Sequence, residues 1–154
     1  MEPETIRALF GALREEGVDY VLVGALALDV LGIGRLTEDI DIFVRPTPDN
    51  VDRLRRALRR VWSDPSIDEI TAVDLAGDYP AIQYVAPDGT PIDILSRLGT
   101  AFAYEDLEAT TFSYGEIDVR VATPETLYRM KRDTVRLRDR ADAQVLKDKF
   151  RLKE

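Results

Sequence analysis

The sequence predicts a chain of mixed class, α/β or α+β, on two observations. Short apolar or β-branched runs of strand length recur along it, and segments with apolar residues at helical spacing stand between and after them. Gly and Pro mark most of the junctions.

Ile6, Leu9, Phe10 and Leu13 recur at helical spacing within residues 4–16, and Gly17 follows where a helix C-terminus favours glycine, so the chain opens with a helix. Residues 20–23 form an apolar run too short for a helix that ends at Gly24. Residues 25–31 are strong helix formers that stop before Gly32, which gives strand, glycine, helix. Alternation in residues 39–44 sends Ile40, Ile42 and Val44 one way and Asp39, Asp41 and Phe43 the other, a strand with two acids on one side. Thr47 and Pro48 then supply an N-cap and a first helical position. Val51, Leu54, Leu58, Val61 and Trp62 form the stripe of the next helix, whose other side carries Arg53, Arg55, Arg56, Arg59 and Arg60 as a solvated face.

Residues 81–85 and 91–95 read as a hairpin turning at Pro87-Asp88-Gly89, with Asp93 inside an otherwise apolar strand. A second pair, 110–114 and 117–121, turns at Gly115. Thr123 and Pro124 start a helix by the same cap logic. Neither Gly nor Pro follows from Glu125 onward, so one long helix or a bent pair closes the chain. No internal repeat or linker-like stretch divides the 154 residues, and one domain is expected.

Composition removes many chemistries. Histidine and cysteine are both absent, so no Ser-His-Asp triad, imidazole base, thiol nucleophile, disulfide or zinc–thiolate site exists here. Any metal must sit on oxygen ligands, which suits Mg, Mn or Ca, and a proton acceptor must be a carboxylate, lysine or tyrosine. The 21 basic and 29 acidic residues leave a formal charge of −8, which opposes nonspecific coating of nucleic acid. No apolar run approaches the ~20 residues of a membrane span and the start is acidic, so the chain reads as cytoplasmic with no membrane partner.

Asp39 and Asp41, two apart on a strand, place both carboxylates on one face roughly 6–7 Å apart at Cα, close enough to share divalent ions; alternatively they mark a strand end meeting solvent. Gly24 and Ala25 begin a helix after a strand, where backbone N–H groups can approach a phosphate, or they simply make a turn. Asp93 needs a partner if buried, either a shared metal or an arginine. Arg35 and Thr37 precede Asp39 in steps of two and either contact substrate phosphate or cap the strand. On an unbroken last helix Lys131, Val135, Arg138 and Asp142 form one stripe whose two cations can clasp a triphosphate. An intrahelical network with Asp139 and Asp142 is the alternative.

Leu22-Val23-Gly24-Ala25, thirteen residues, then Asp39-Ile40-Asp41-Ile42 resembles the signature of the nucleotidyltransferase superfamily that shares its fold with DNA polymerase β, with Asp93 at the place of its third carboxylate. Val23-Gly24-Ala25-Leu26-Ala27 together with Arg35-Leu36-Thr37-Glu38-Asp39-Ile40-Asp41 is similar, more closely, to small AbiEii-type nucleotidyltransferase toxins. Lys131, Arg138, Asp139 and Asp142 match their C-terminal pattern. Ala25 departs from the usual Gly or Ser and leaves only its backbone N–H for phosphate.

The resemblance implies a small mixed sheet flanked by helices. It also implies Mg²⁺ or Mn²⁺ on Asp39, Asp41 and Asp93, with a nucleoside triphosphate such as ATP held by Gly24, Ala25, Arg35, Thr37, Lys131 and Arg138. Transfer of a nucleoside monophosphate to a hydroxyl follows, Asp93 accepting the proton. RNA, tRNA included, is the acceptor that a toxin implies, with a cognate antitoxin as partner. Small molecules of aminoglycoside type, or a protein hydroxyl, are the other acceptors. A non-catalytic nucleotide-binding or interaction domain is the contrasting class, which clustered repelling acids disfavour.

Overall fold

A computed structural model of the chain describes residues 2–34, 38–77, 79–100, 102–132 and 137–153, with the side chains of Leu137 and Arg138 outside that description. Helix α1 (Pro3–Glu15) starts on a proline and buries Ile6, Leu9, Phe10 and Leu13. It closes on Gly17, whose φ of 67° lets its own N–H reach Arg14 O and the Val18 N–H reach Leu13 O, capping the last carbonyls. Strand β1 (Tyr20–Val23) is buried throughout, and α2 (Gly24–Val30) follows without a connecting loop. Strand β2 (Ile40–Val44) begins one residue later than the alternation predicts, leaving Asp39 just ahead of it. Phe43 shares the acids' face yet is fully buried, because the sheet is covered at that end on both sides.

Helix α3 (Pro48–Val61) uses Thr47 as its cap, the hydroxyl accepting from Asn50 N. Its arginines are largely engaged in ion pairs: Arg56 and Arg60 both reach Glu16, Arg55 meets Asp52 and Arg59 meets Asp68. The two arginines hold the Glu16 carboxyl below the usual carboxylate range. Asn50 is buried and joins three elements. Its Oδ1 accepts from Asp19 N at 2.7 Å while its Nδ2 donates to Asp19 O and Arg45 O at 3.0 and 2.9 Å.

After a 3-10 turn (Pro65–Glu69) and the short α4 (Ala72–Ala76), β3 (Ala81–Val85) and β4 (Pro91–Leu95) form the predicted hairpin. A two-stranded ribbon, β5 (Arg97–Leu98) with β6 (Phe102–Ala103), and a second 3-10 turn (Tyr104–Asp106) follow, none of which the sequence pattern marks. Strands β7 (Ala109–Tyr114) and β8 (Ile117–Ala122) pair next. Helices α5 (Pro124–Arg132) and α6 (Leu137–Phe150) end the chain.

The main sheet runs β3-β4-β2-β1-β8-β7, with β2/β4 and β1/β8 parallel and the other neighbours antiparallel, so it is mixed as expected. Leu22, Ile40, Ile42, Ile92, Ile94, Val119 and Val121 from its central strands are fully buried beneath the helices. Among the described residues no helix is long and apolar enough to cross a membrane.

Candidate active site

The sheet order turns three distant stretches of sequence into neighbours. Strands β1 and β2 are antiparallel, so Gly24 after β1 and Asp39 before β2 lie at the same end of the sheet. Register then aligns Val23 with Asp41, Asp41 with Asp93 and Asp93 with Gln83, one row across four strands spaced by roughly 4.8 Å. Asp39, Asp41 and Asp93 line one cleft of about 520 Å³ together with Gly24, Ala25 and Lys131. The third acid therefore shares a cleft with the first two and stands next to Asp41.

Gly24 is required here for a second reason that the sequence does not show. Its φ is 74°, and a Cβ built on it would meet Asp41 Oδ2 at 2.0 Å and Cγ at 2.8 Å. The carboxylate of Asp41 thus lies over bare backbone where any other residue would both clash and be strained.

Asp41 and Asp93 stand opposite each other in the parallel β2/β4 register, so their carboxyls leave the same face at neighbouring positions. Burial first, then the adjacent Asp93 carboxyl and the charge of Asp39, push the Asp41 carboxyl up to about 7 against the opposing pull of Lys131. Asp93 Oδ1 accepts from Gln83 Nε2 at 3.1 Å. Among the described residues Gln83 is its hydrogen-bond partner and no arginine reaches it. Among the described residues no three acidic side chains are gathered as a ready-made metal centre. The donor set fits a hard divalent cation nonetheless: the candidate ligand atoms are carboxylate oxygens, and such an ion would offset both the burial and the neighbouring charge that favour protonation of Asp41.

Lys131 lies on α5 and its ammonium contacts Asp139 at 3.3 Å and Asp142 at 3.2 Å, both on α6 and both buried. On an unbroken helix Lys131 and Asp142 would be separated by about 16 Å of axial rise, so this contact requires α6 to fold back on α5. The single stripe predicted for Lys131, Val135, Arg138 and Asp142 is corrected accordingly. What was offered as an intrahelical network is an interhelical one. Leu127, Met130 and Lys131, at i, i+3 and i+4, turn one face of α5 toward the cleft. Arg35, Thr37 and Val135, and the side chain of Arg138, lie outside the described residues.

A family model for the nucleotidyl transferase AbiEii toxin of type IV toxin–antitoxin systems matches residues 7–148. The chain belongs to the AbiEii family of nucleotidyltransferases. The AbiEii assignment makes the protein an enzyme of the nucleotidyltransferase class. A crystal structure of a candidate nucleotidyltransferase from Thermotoga maritima has the same fold, with a TM-score of 0.55 and 15% identity, covering 96% of this chain and 91% of that one. No curated protein matches the sequence significantly.

Proposed function

We propose that the chain is a one-domain, divalent-metal-dependent nucleotidyltransferase that moves a nucleoside monophosphate from a nucleoside triphosphate to an acceptor hydroxyl. The observation that carries this reading is the side-by-side placement of Asp41 and Asp93 on neighbouring strands, in a cleft shared with Asp39, Lys131 and Gly24. Two carboxyls pressed together destabilise a scaffold but suit a site that receives cations. A magnesium or manganese ion on Asp39, Asp41 and Asp93 would neutralise phosphate charge and lower the pKa of the attacking hydroxyl.

The acceptor oxygen bonds to the α-phosphorus as the bond from that phosphorus to its bridging oxygen breaks, and pyrophosphate leaves. Asp93 takes the hydroxyl proton, a role no histidine is present to fill. The backbone N–H groups of Gly24 and Ala25 hold the outer phosphates, and the Lys131 ammonium offsets the charge that develops on pyrophosphate. Arg35, Thr37 and Arg138 join these as phosphate contacts on the sequence pattern.

Family membership supports a toxin opposed by a cognate antitoxin, and RNA, tRNA included, is the acceptor proposed for it. The deciding experiment supplies each α-labelled nucleoside triphosphate with Mg²⁺ or Mn²⁺ and, in turn, bulk RNA, protein extract and aminoglycosides. Label should appear in RNA and vanish with Asp41→Asn. Transfer by Asp41→Asn at the wild-type rate would sink the carboxylate assignment, and label on protein or aminoglycoside instead would move the acceptor to that class.

A further inference from the structure

Beyond the three acids, the row across the sheet ends in a residue with no assigned role. Gln83 sits on β3, the edge strand, directly opposite Asp93 in the antiparallel register, so their side chains leave the same face at neighbouring positions. Its amide donates to Asp93 Oδ1 at 3.1 Å, while Asp41 flanks Asp93 on the opposite side in the β2/β4 register. Gln83 is exposed and lines the cleft, so packing does not account for it there.

We propose that Gln83 is a positioning residue that fixes the Asp93 carboxylate for cation binding, an inference that rests on the three-carboxylate reading above. A half-buried aspartate on a strand still has more than one accessible rotamer, and a donor on one oxygen selects among them. The donor is also neutral. An arginine or lysine at position 83 would restrain Asp93 equally well but would bring a positive charge beside the arriving divalent ion. An amide gives orientation without that repulsion. The row therefore reads, from the edge inward, as neutral donor, carboxylate, carboxylate.

The test uses Mn²⁺ alone as the probe, its binding followed by loss of the free-ion electron spin resonance signal. The full chain is compared with Gln83→Met, Gln83→Lys and Asp93→Asn. Gln83→Met, similar in reach and without a donor, should weaken Mn²⁺ at least about tenfold, as loss of an outer-shell partner generally does. Gln83→Lys should weaken it at least as much, and Asp93→Asn more than either. Melting temperatures of the two Gln83 variants should stay near that of the wild type, since the residue is exposed. Wild-type Mn²⁺ affinity in Gln83→Met, with weakened binding in Asp93→Asn, overturns the positioning role alone. Unchanged affinity in Asp93→Asn, or no Mn²⁺ binding by the wild type, overturns the carboxylate reading and this inference with it. An independent measurement needs no metal and no Gln83 variant: the side-chain amide resonances of Gln83 should move when Asp93 becomes Asn. Their constancy would show that the contact does not exist in solution.

Discussion

At Gly24 a single missing carbon atom decides whether the cleft exists. Gly24→Ala puts a methyl group into the space of the Asp41 carboxylate at a φ of 74°, so it should cost about 1–3 kcal/mol in urea unfolding and abolish transfer. A variant with wild-type transfer would show that Asp41 is free to move aside. Asp41 itself makes a prediction about pH. Its folded carboxyl titrates at about 7, whereas an aspartate in the unfolded chain releases its proton near 4. Between those values the native state holds a proton that the unfolded state has lost, so this group's contribution to stability declines as pH rises through that window. In EDTA, the urea midpoint of the wild type should therefore fall between pH 5 and pH 8 by more than that of Asp41→Asn, and equal falls would contradict the crowding. The acids and the glycine were legible in the sequence because each interrupts a pattern, an acid in an apolar strand or a glycine between strand and helix. Gln83 was not, because a glutamine on an exposed strand breaks no pattern and only the β3/β4 register reveals its partner.

Elements here are held as much by buried polar contacts as by apolar stripes. Asn50 ties the start of α3 to the chain ends of β1 and β2, and Asn50→Ala withdraws the amide from the Asp19 N–H and the Arg45 carbonyl, while the Asp19 carbonyl keeps the Arg45 N–H. A loss of about 3 kcal/mol in unfolding free energy is expected, and a change under about 1 kcal/mol would mean that water replaces the amide. Lys131 plays the corresponding part between α5 and α6. Its removal in Lys131→Ala withdraws an ammonium from two buried carboxylates and should cost about 3 kcal/mol besides lowering transfer. Adding Asp139→Asn and Asp142→Asn to that variant should restore much of the stability and none of the activity. Restored activity would demote Lys131 to a fastening. Strands and long helices were readable from periodicity. The division between α5 and α6 was not, since neither glycine nor proline marks it. The β5/β6 ribbon of two-residue strands was too short to carry any period.

The molecule as a whole carries a charge of −8, and three of its carboxylates line one cleft, so the unliganded state works against its own electrostatics. Divalent cations should therefore stabilise it, and any ligand that binds only the native cleft does so by mass action. Mg²⁺ with a nucleoside triphosphate at about a hundred times the dissociation constant should add about 2.7 kcal/mol and raise the melting temperature by several degrees. The absence of any rise would argue that the cleft takes no nucleotide. The fold class was predictable from alternating periods, but the strand order was not. Local patterns say which segments are strands and leave unsaid which of them become neighbours. That order has a temporal consequence. The proposed centre draws on residues 24, 39, 41 and 93 and on an ammonium held by residues 139 and 142, so during synthesis it stays incomplete until residue 142 has left the ribosome.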